Sequence, residues 1–585
     1  MACPPVETAP HHGDILADRI EKALAGRADL PSIAFTGTGG TTTGRTGDEL
    51  RAAIWMQADR LRSWTGGGRR VLVLAFPAGE TFVTLFLGCL MAGITAVPVA
   101  LPRRGSRSGQ FRHIVTDCGA AAVLCAPESR ATITAALRGA DAGRADPGGT
   151  DPGGRDPRGG APQIPVVAWP PDGAALPSLP DIDRADAEKM RPAIIQYTSG
   201  STRWPKGVRI MPWNVVENCA LVMRAWGMDE TAHFVNWLPH YHDMGLMGGI
   251  LYPLLCGGQS VQMSPFEVIR RPAAWLEAIS AAGATFSGGP AFMFADCLTR
   301  IRDDEIDGLD LSRWRRAFCG AEPVPAGLLD RFHARFAATG LRRDAVFACY
   351  GLAEATLFAA GVPKDDAGTA ISDQPVTPCH LTDETRAHLR IVDPAGTRVL
   401  AEGETGEICL SGPWIADGYL GRADETAASF QAPAPAAPDP VWLRTGDLGH
   451  VTGNTLHVVG RLKDVLICNG RKIPAAELEW LAAGIDPVLN PLAAAAFAPD
   501  MTSSGLAVLA IEPRLGCRLA PDTAGLARRI ARAVAGEWGI RLTDVVFVPR
   551  GRLPRTSSGK IRRAAVARAW RETRSSIQGE VVEVA

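Results

Sequence analysis

Short β-branched and alanine-rich runs recur along the chain, separated by longer stretches whose apolar positions fall at helical spacing. Val71–Ala75, Ala121–Cys125, Pro165–Ala168, Ala193–Tyr197 and Ala345–Tyr350 are clear examples. Continuous apolar runs of this length predict strands covered on both faces, as in a parallel sheet. Their alternation with amphipathic segments predicts doubly wound α/β architecture. One uncharged stretch, Thr81–Pro102, is long enough to span a bilayer. Gly88, Gly93 and Pro98 interrupt it, and a strand-like run ending at Phe76 comes just before. A buried helix followed by a buried strand is expected there, with no transmembrane segment.

Two places break the rhythm. From Gly139 to Pro162 the motifs DPGG, DPGG and DPRGG recur, and the only side chains lacking charge or hydroxyl are alanine and proline. Such a segment cannot bury a core and predicts a disordered-like surface loop. Near Gly460 the elements shorten, and arginine-rich helices follow at Leu526–Val534 and Ala564–Arg574. A domain boundary at Gly460–Arg461 is expected, with a large N-terminal domain of β-sheets flanked by helices (1–460) and a small α+β C-terminal domain (461–585). Length requires such a division, because 585 residues exceed the size of about 250–300 at which single cores stop growing.

Composition removes some classes of function. The formal net charge is -1, which argues against a nucleic-acid binder with its usual basic excess. The 13 cysteines are scattered without a CxxC pair, so neither a disulfide framework nor a zinc site fits. Neither a basic n-region nor an apolar h-region opens the chain, and reduced cysteines in a cytoplasmic protein are the expectation.

Candidate chemistry is concentrated in a few segments. In Tyr197-Thr-Ser-Gly-Ser-Thr-Arg-Trp-Pro-Lys-Gly-Val208 a strand runs into a loop of Thr198, Ser199, Gly200, Ser201 and Thr202, followed by Lys206. Small residues let backbone N–H groups approach an anion, hydroxyls add donors, and the lysine adds a point charge. By periodicity alone it is a Ser/Thr/Gly loop. A Walker A spacing occurs elsewhere, at Gly39–Thr46, but with arginine for lysine and no buried strand leading into it. A hairpin turn is expected there. His240-x-His242-Asp243 has the wrong spacing for a metallohydrolase centre.

Taken together, these segments resemble the adenylate-forming superfamily of acyl-CoA synthetases, peptide-synthetase adenylation domains and luciferases. Tyr197–Val208 is similar to its phosphate-binding loop. Tyr350-Gly-Leu-Ala-Glu-Ala-Thr356 is similar to the motif in which Tyr350 and Gly351 would hold adenine and Glu354 magnesium, with Thr198 as a second metal contact. Leu443-Arg-Thr-Gly-Asp-Leu448 resembles the motif whose aspartate, Asp447, binds ribose hydroxyls, with Arg461 near the same sugar. Gly460-Arg-Leu-Lys-Asp464 resembles the hinge, with Lys463 at the pivot, and Pro554–Lys560 the loop of the catalytic lysine, Lys560. The resemblance implies a mobile C-terminal domain and the cofactors ATP and Mg2+. It also implies formation of an acyl-AMP and transfer of the acyl group to a thiol.

Arg203, Leu238–Leu246 (LPHYHDMGL), Gly288–Phe292 and Phe76–Gly79 are most similar to the fatty acyl-AMP ligases. That likeness implies a fatty acid substrate and gives His242 the role of gating the acyl tunnel beside the carboxylate. Those ligases usually carry a long insertion ahead of the segment seen here as Leu389–Asp393, thought to hinder the motion that admits coenzyme A. Here Glu354 and Arg390 stand only 36 positions apart, with Pro375–His388 as a remnant. Coenzyme A is therefore the expected acceptor, with the phosphopantetheine of an acyl carrier protein as the alternative. A loader of amino or aryl acids and a non-catalytic nucleotide-binding scaffold are the remaining readings.

Overall fold

The computed structural model describes residues 15–37, 42–66, 70–102, 108–138, 164–171, 176–179, 192–198, 204–363, 376–396, 398–430, 432–434, 437–468, 471–499, 505–514, 516–519, 521–556, 560–572 and 579–584. The loop expected at 139–162 lies outside them. By packing the chain divides into two units. One comprises 1–223, 228–265 and 416–426, and the other 224–227, 266–415 and 427–585.

The first unit carries the predicted runs as a six-stranded sheet in the order Val166–Ala168, Ala122–Cys125, Val71–Ala75, Thr95–Pro98, Ile194–Thr198, Lys206–Ile210. The first five strands are parallel and the last is antiparallel to its neighbour. Val71, Val73, Val97, Val123, Cys125 and Ile195 share one buried cluster with Phe111 and Val115 of helix Ser108–Asp117. Every residue of Val71–Ala75 is buried, as a strand covered on both faces requires. The uncharged stretch forms helix Glu80–Met91 and strand Thr95–Pro98. Among the described residues no helix is long and apolar enough to cross a membrane. Residues 42–46 of the Walker-like segment form a strand antiparallel to Pro31–Thr36. Its Thr46 caps helix Gly47–Thr65 in a reciprocal box with Glu49.

In the second unit, Phe286–Pro290, Arg316–Gly320 and Val346–Ala348 run parallel. An antiparallel sheet follows, built from Cys379–His380, Leu389–Val392, Gly406–Leu410, Ala437–Thr452 and Thr455–Arg461. Residues 461–585 add a sheet of their own, in the order Leu489–Phe497, Leu506–Pro513, Arg541–Phe547, Glu580–Glu583. Alternate residues of its second strand face opposite ways: Leu509 and Ile511 pack with helices Ala475–Gly484 and Thr523–Trp538, Val508 and Ala510 with helix Arg563–Glu572. Both faces of that strand are thus covered by helices, one layer on each side.

A buried carboxylate pins this α+β part together. Glu479 is 3% exposed, and burial pushes its carboxyl up, against the pull of Arg563. Arg563 donates to both its oxygens at 2.6 Å, and the Ala496 N–H donates at 2.7 Å. The same guanidinium donates at 2.9 Å to Asp464, next to Lys463. Breaking a buried pair from one side strands the other charge. Arg563→Met is expected to destabilise the protein by about 3–5 kcal/mol in denaturant unfolding, whereas Arg568→Met, at a position with no such pair, stays near wild type.

In the antiparallel sheet His450 and His457 face each other across a hairpin, their rings stacked at 4.6 Å. Burial, with His450 and His380 nearby, holds His457 down to about 4. Its ordinary value is about 6.5, so as pH falls the unfolded chain takes the proton first. The stability this neutral pair contributes is complete above pH of about 6.5 and is lost as pH drops toward 4. Thermal melting followed across that window is expected to fall less steeply for His457→Gln than for wild type.

Candidate active site

The expected site residues fall in both units. Thr198, Lys206 and His242 belong to the first, and Tyr350, Gly351, Glu354, Asp447, Arg461, Lys463 and Lys560 to the second. Ser199, Gly200, Ser201 and Thr202 lie outside the described residues. What the first unit defines is the frame of their loop. Strands Ile194–Thr198 and Lys206–Ile210 pair antiparallel, and their last register pair is Thr198 with Lys206. Gly207 is required by close approach: a Cβ there would sit 2.8 Å from Ile195 Cγ2 and 3.0 Å from Tyr197 Cζ.

Lys206 does not stand alone. Its ammonium pairs with Glu425 and lies 4.8 Å from the centre of the Tyr419 ring. Burial works against the Glu425 carboxylate, but the hydrogen bond and charge of Lys206, with Arg422, hold it below the ordinary range. The sequence reading passed over Glu425 because it lies more than two hundred positions away in an unremarkable helix start.

His242 caps the short helix Asp243–Leu246 with extended backbone, its ring 4.9 Å from that of Tyr241. His240 is buried, 4.0 Å from the Phe82 ring centre. Burial pushes it down to about 3, the Phe76 carbonyl opposing and His242 adding to the effect. It is therefore a neutral core imidazole near pH 7. No group of three or more His, Cys, Asp or Glu able to hold a metal occurs among the described residues.

The second unit brings three expected residues together. Tyr350, on a short strand paired with Phe358–Ala360, donates its hydroxyl to Asp447 Oδ2 at 2.9 Å. Arg461 Nε lies 3.0 Å from Asp447 Oδ1. The strands carrying Asp447 and Arg461 put those two residues directly in register. Asp447 and then burial act in opposite senses on Arg461, and the charges of Asp447 and Glu354 hold it above its ordinary value. Burial, reinforced by Asp447, lifts the Tyr350 phenol. A carboxylate carries about four lone-pair sites. With one bond on each oxygen, Asp447 keeps one further site per oxygen, a match to the two hydroxyls of a ribose diol.

Gly351 is dictated by space, since a Cβ would meet the Leu357 carbonyl oxygen at 1.8 Å. The turn that presents Glu354 is tight: Ala353–Ala355 forms a single helical turn, and Thr356 takes φ +67°. Thr356 is held there by donating to the Trp414 carbonyl at 2.7 Å. Glu354 would present one carboxylate, a hard oxygen donor of the kind that suits magnesium, which takes few protein ligands and completes its shell with water and substrate phosphates.

Lys560 ends a loop closed on itself, its N–H donating to Thr556 Oγ1 at 3.1 Å and its carbonyl accepting from Thr556 N at 2.8 Å. Glu322, a second carboxylate absent from the sequence reading, lies in its field. Burial raises the Glu322 carboxyl, and the charges of Lys560, Arg555 and Arg563 pull it back. Its signal was faint: Glu322 follows Ala321, a non-glycine residue at φ +70°, of the kind that collects at functional sites. Lys463 is exposed on the turn Leu462–Asp464.

Residues 20–420 match the sequence profile of the AMP-binding enzymes. FadD23 of Mycobacterium tuberculosis, a long-chain-fatty-acid–AMP ligase by name, is 34% identical over 88% of each chain. FadD21 of Mycobacterium leprae, which carries a fatty-acid–CoA ligase name, is 32% identical over 87% of this chain and 88% of its own. A solved structure from work on fatty acyl-adenylate ligases of E. coli and L. pneumophila superposes with a TM-score of 0.77 at 27% identity, covering 94% of this chain and 98% of that one. With the profile matched over most of its length, this chain belongs to the AMP-binding enzyme family.

Proposed function

We propose that this protein activates a fatty acid with ATP, releasing pyrophosphate, and then passes the acyl group from acyl-AMP to a thiol. The observation that carries the reading is the Tyr350–Asp447–Arg461 cluster, a buried carboxylate with diol-sized spare capacity. The fatty acid is read from the names of the relatives, together with the LPHYHDMGL segment that contains His242.

In the first step two anions must meet. Thr198, the 199–202 segment and Lys206 bind the phosphates, Tyr350 and Gly351 the adenine, and Asp447 with Arg461 the ribose. Magnesium, held through Glu354 and Thr198, neutralises phosphate charge when bound. Lys560 steadies the charge that develops as a carboxylate oxygen attacks the α-phosphorus and pyrophosphate leaves, while His242 borders the entry of the acyl chain. In the second step residues 461–585 turn about Lys463, withdrawing Lys560 and opening the path for the thiol. Conformational steps of this kind often limit turnover. The setting is the cytoplasm, in keeping with the unbridged thiols of the described cysteines.

Coenzyme A is the acceptor we favour. Glu354 and Arg390 are only 36 positions apart, and the described part of the intervening stretch is tied into its own unit. Thr377 N donates to the Val324 carbonyl and Leu381 N to that of Asn454, each at 2.8 Å, and Cys379–His380 pairs with the strand of His457. The AMP-ligase name of FadD23 favours the second reading, a carrier protein bearing phosphopantetheine.

Lys560→Ala is expected to slow acyl-AMP formation by roughly 100-fold or more while leaving thiol transfer from supplied acyl-AMP near wild type. Equal loss of both steps would refute the two-conformation account. Mass spectrometry of protein, MgATP and a medium-chain fatty acid, with coenzyme A or with loaded carrier protein, separates the acceptors. Acyl-CoA formed as fast as acyl-AMP supports coenzyme A. Acyl-AMP that persists with coenzyme A but is consumed by the carrier supports the second reading.

A further inference from the structure

The first unit includes a short excursion, 416–426, that is remote in sequence from the hairpin it joins. Residues 417–420 lie along the strand that leaves the phosphate loop. Arg209 N donates to the Gly418 carbonyl at 2.9 Å, Asp417 N to that of Arg209 at 3.0 Å and Leu420 N to that of Gly207 at 2.8 Å. Arg209 and Asp417 also form an ion pair. This paired segment, with an isolated bridge between Val208 and Tyr419, delivers Arg422 and Glu425 to the hairpin.

From there a chain of charged and polar groups runs between the two ends of the loop. Lys206 pairs with Glu425, and Glu425 Oε1 lies 3.4 Å from Arg422 NH1. Arg422 NH2 lies 3.7 Å from Asp117 Oδ1, and Asp117 Oδ2 accepts from the Tyr197 hydroxyl at 2.6 Å. Tyr197 and Lys206 flank the segment that the hairpin connects: one precedes Thr198, the other is its register partner. Two acids and two bases make the chain neutral, which suits groups that are partly withdrawn from water. An ammonium has three N–H donors. With Glu425 taking one and the Tyr419 ring facing the group, donor capacity remains for an incoming anion.

We propose that Asp117, Arg422 and Glu425 are positioning residues for triphosphate binding: they clamp both ends of the 198–206 loop and hold the Lys206 ammonium in place before the nucleotide arrives. This rests on the reading of that loop as the ATP phosphate site. A lysine left free would have to give up its rotamer freedom on binding. The clamp removes that cost in advance, and it does so without touching the substrate.

Full-length protein and its Glu425→Gln, Glu425→Asp, Arg422→Lys and Tyr197→Phe variants would be compared by MgATP titration calorimetry, thermal melting and pyrophosphate release with a fatty acid. Expected for Glu425→Gln is roughly tenfold weaker MgATP binding, with the fatty-acid KM unchanged and kcat at saturating MgATP within about threefold of wild type. Glu425→Asp restores part of the affinity, and Tyr197→Phe, which keeps the ring and loses only the hydroxyl, weakens it to a smaller degree. Tighter MgATP binding by Glu425→Gln would overturn the proposal by making Glu425 a competitor for the lysine. Unchanged affinity in folded variants, or parallel loss for ATP and fatty acid, would overturn it as well. Wild-type protein that binds MgATP but releases no pyrophosphate with any fatty acid would refute the proposed function, while the binding series still decides the clamp.

Discussion

Within each unit of this chain, cations are held by partner carboxylates. Lys206 has Glu425, Arg461 has Asp447, Arg555 has Glu512, and Arg563 has Glu479 and Asp464. The reason is electrostatic. Binding ATP beside a carboxylate substrate demands concentrated positive charge, and bare cations drawn partly out of water would repel one another and destabilise the fold. Pairing lets the charge be assembled ahead of substrate. Its cost is that each carboxylate weakens the field its partner offers. Geometry compensates, because a fixed donor loses little entropy when an anion arrives.

Asp447 shows how far such pairing goes before function suffers. Both its oxygens are engaged, one by a phenol and one by a guanidinium, and burial is nearly complete at 6% exposure. Had the two donors been placed on the same oxygen, or had a third partner joined, the remaining acceptor sites would no longer match a diol. The register of the two strands, Asp447 opposite Arg461, sets this arrangement through the backbone.

Much of this architecture was legible in the sequence because it is local. The runs at Val71–Ala75 and Ala193–Tyr197 became strands of one sheet, separated by Thr95–Pro98, and Thr81–Pro102 became a buried helix and strand. Apolar runs announce themselves whatever their surroundings. Tyr350, Asp447 and Lys560 were singled out from short motifs, in which chemistry and backbone shape occupy a few adjacent positions. The clamp was not found. Asp117, Arg422 and Glu425 are ordinary surface-type residues, and only the pairing of 417–420 with 207–209 brings two of them beside Lys206. Glu322 escaped for a similar reason, since its partners Arg555 and Lys560 come from the far end of the chain. Long-range electrostatics leaves no periodic trace in a sequence.

The same logic bears on the proposed motion about Lys463. Arg563 lies three positions beyond Lys560, and its guanidinium binds Asp464, the neighbour of the pivot, as well as buried Glu479. The loop that carries Lys560 is closed by its own hydrogen bonds to Thr556. Lysine loop, pivot and α+β core are therefore joined by one arginine. A rotation at Lys463 would then carry Lys560 as part of a stiff body, and a small dihedral change at the pivot would become a large displacement at the ammonium. A loosely attached lysine would blur both positions. By this argument the Arg563 bridge would turn the proposed hinge into a two-position device, which is what a single site needs if it is to perform two chemical steps in turn.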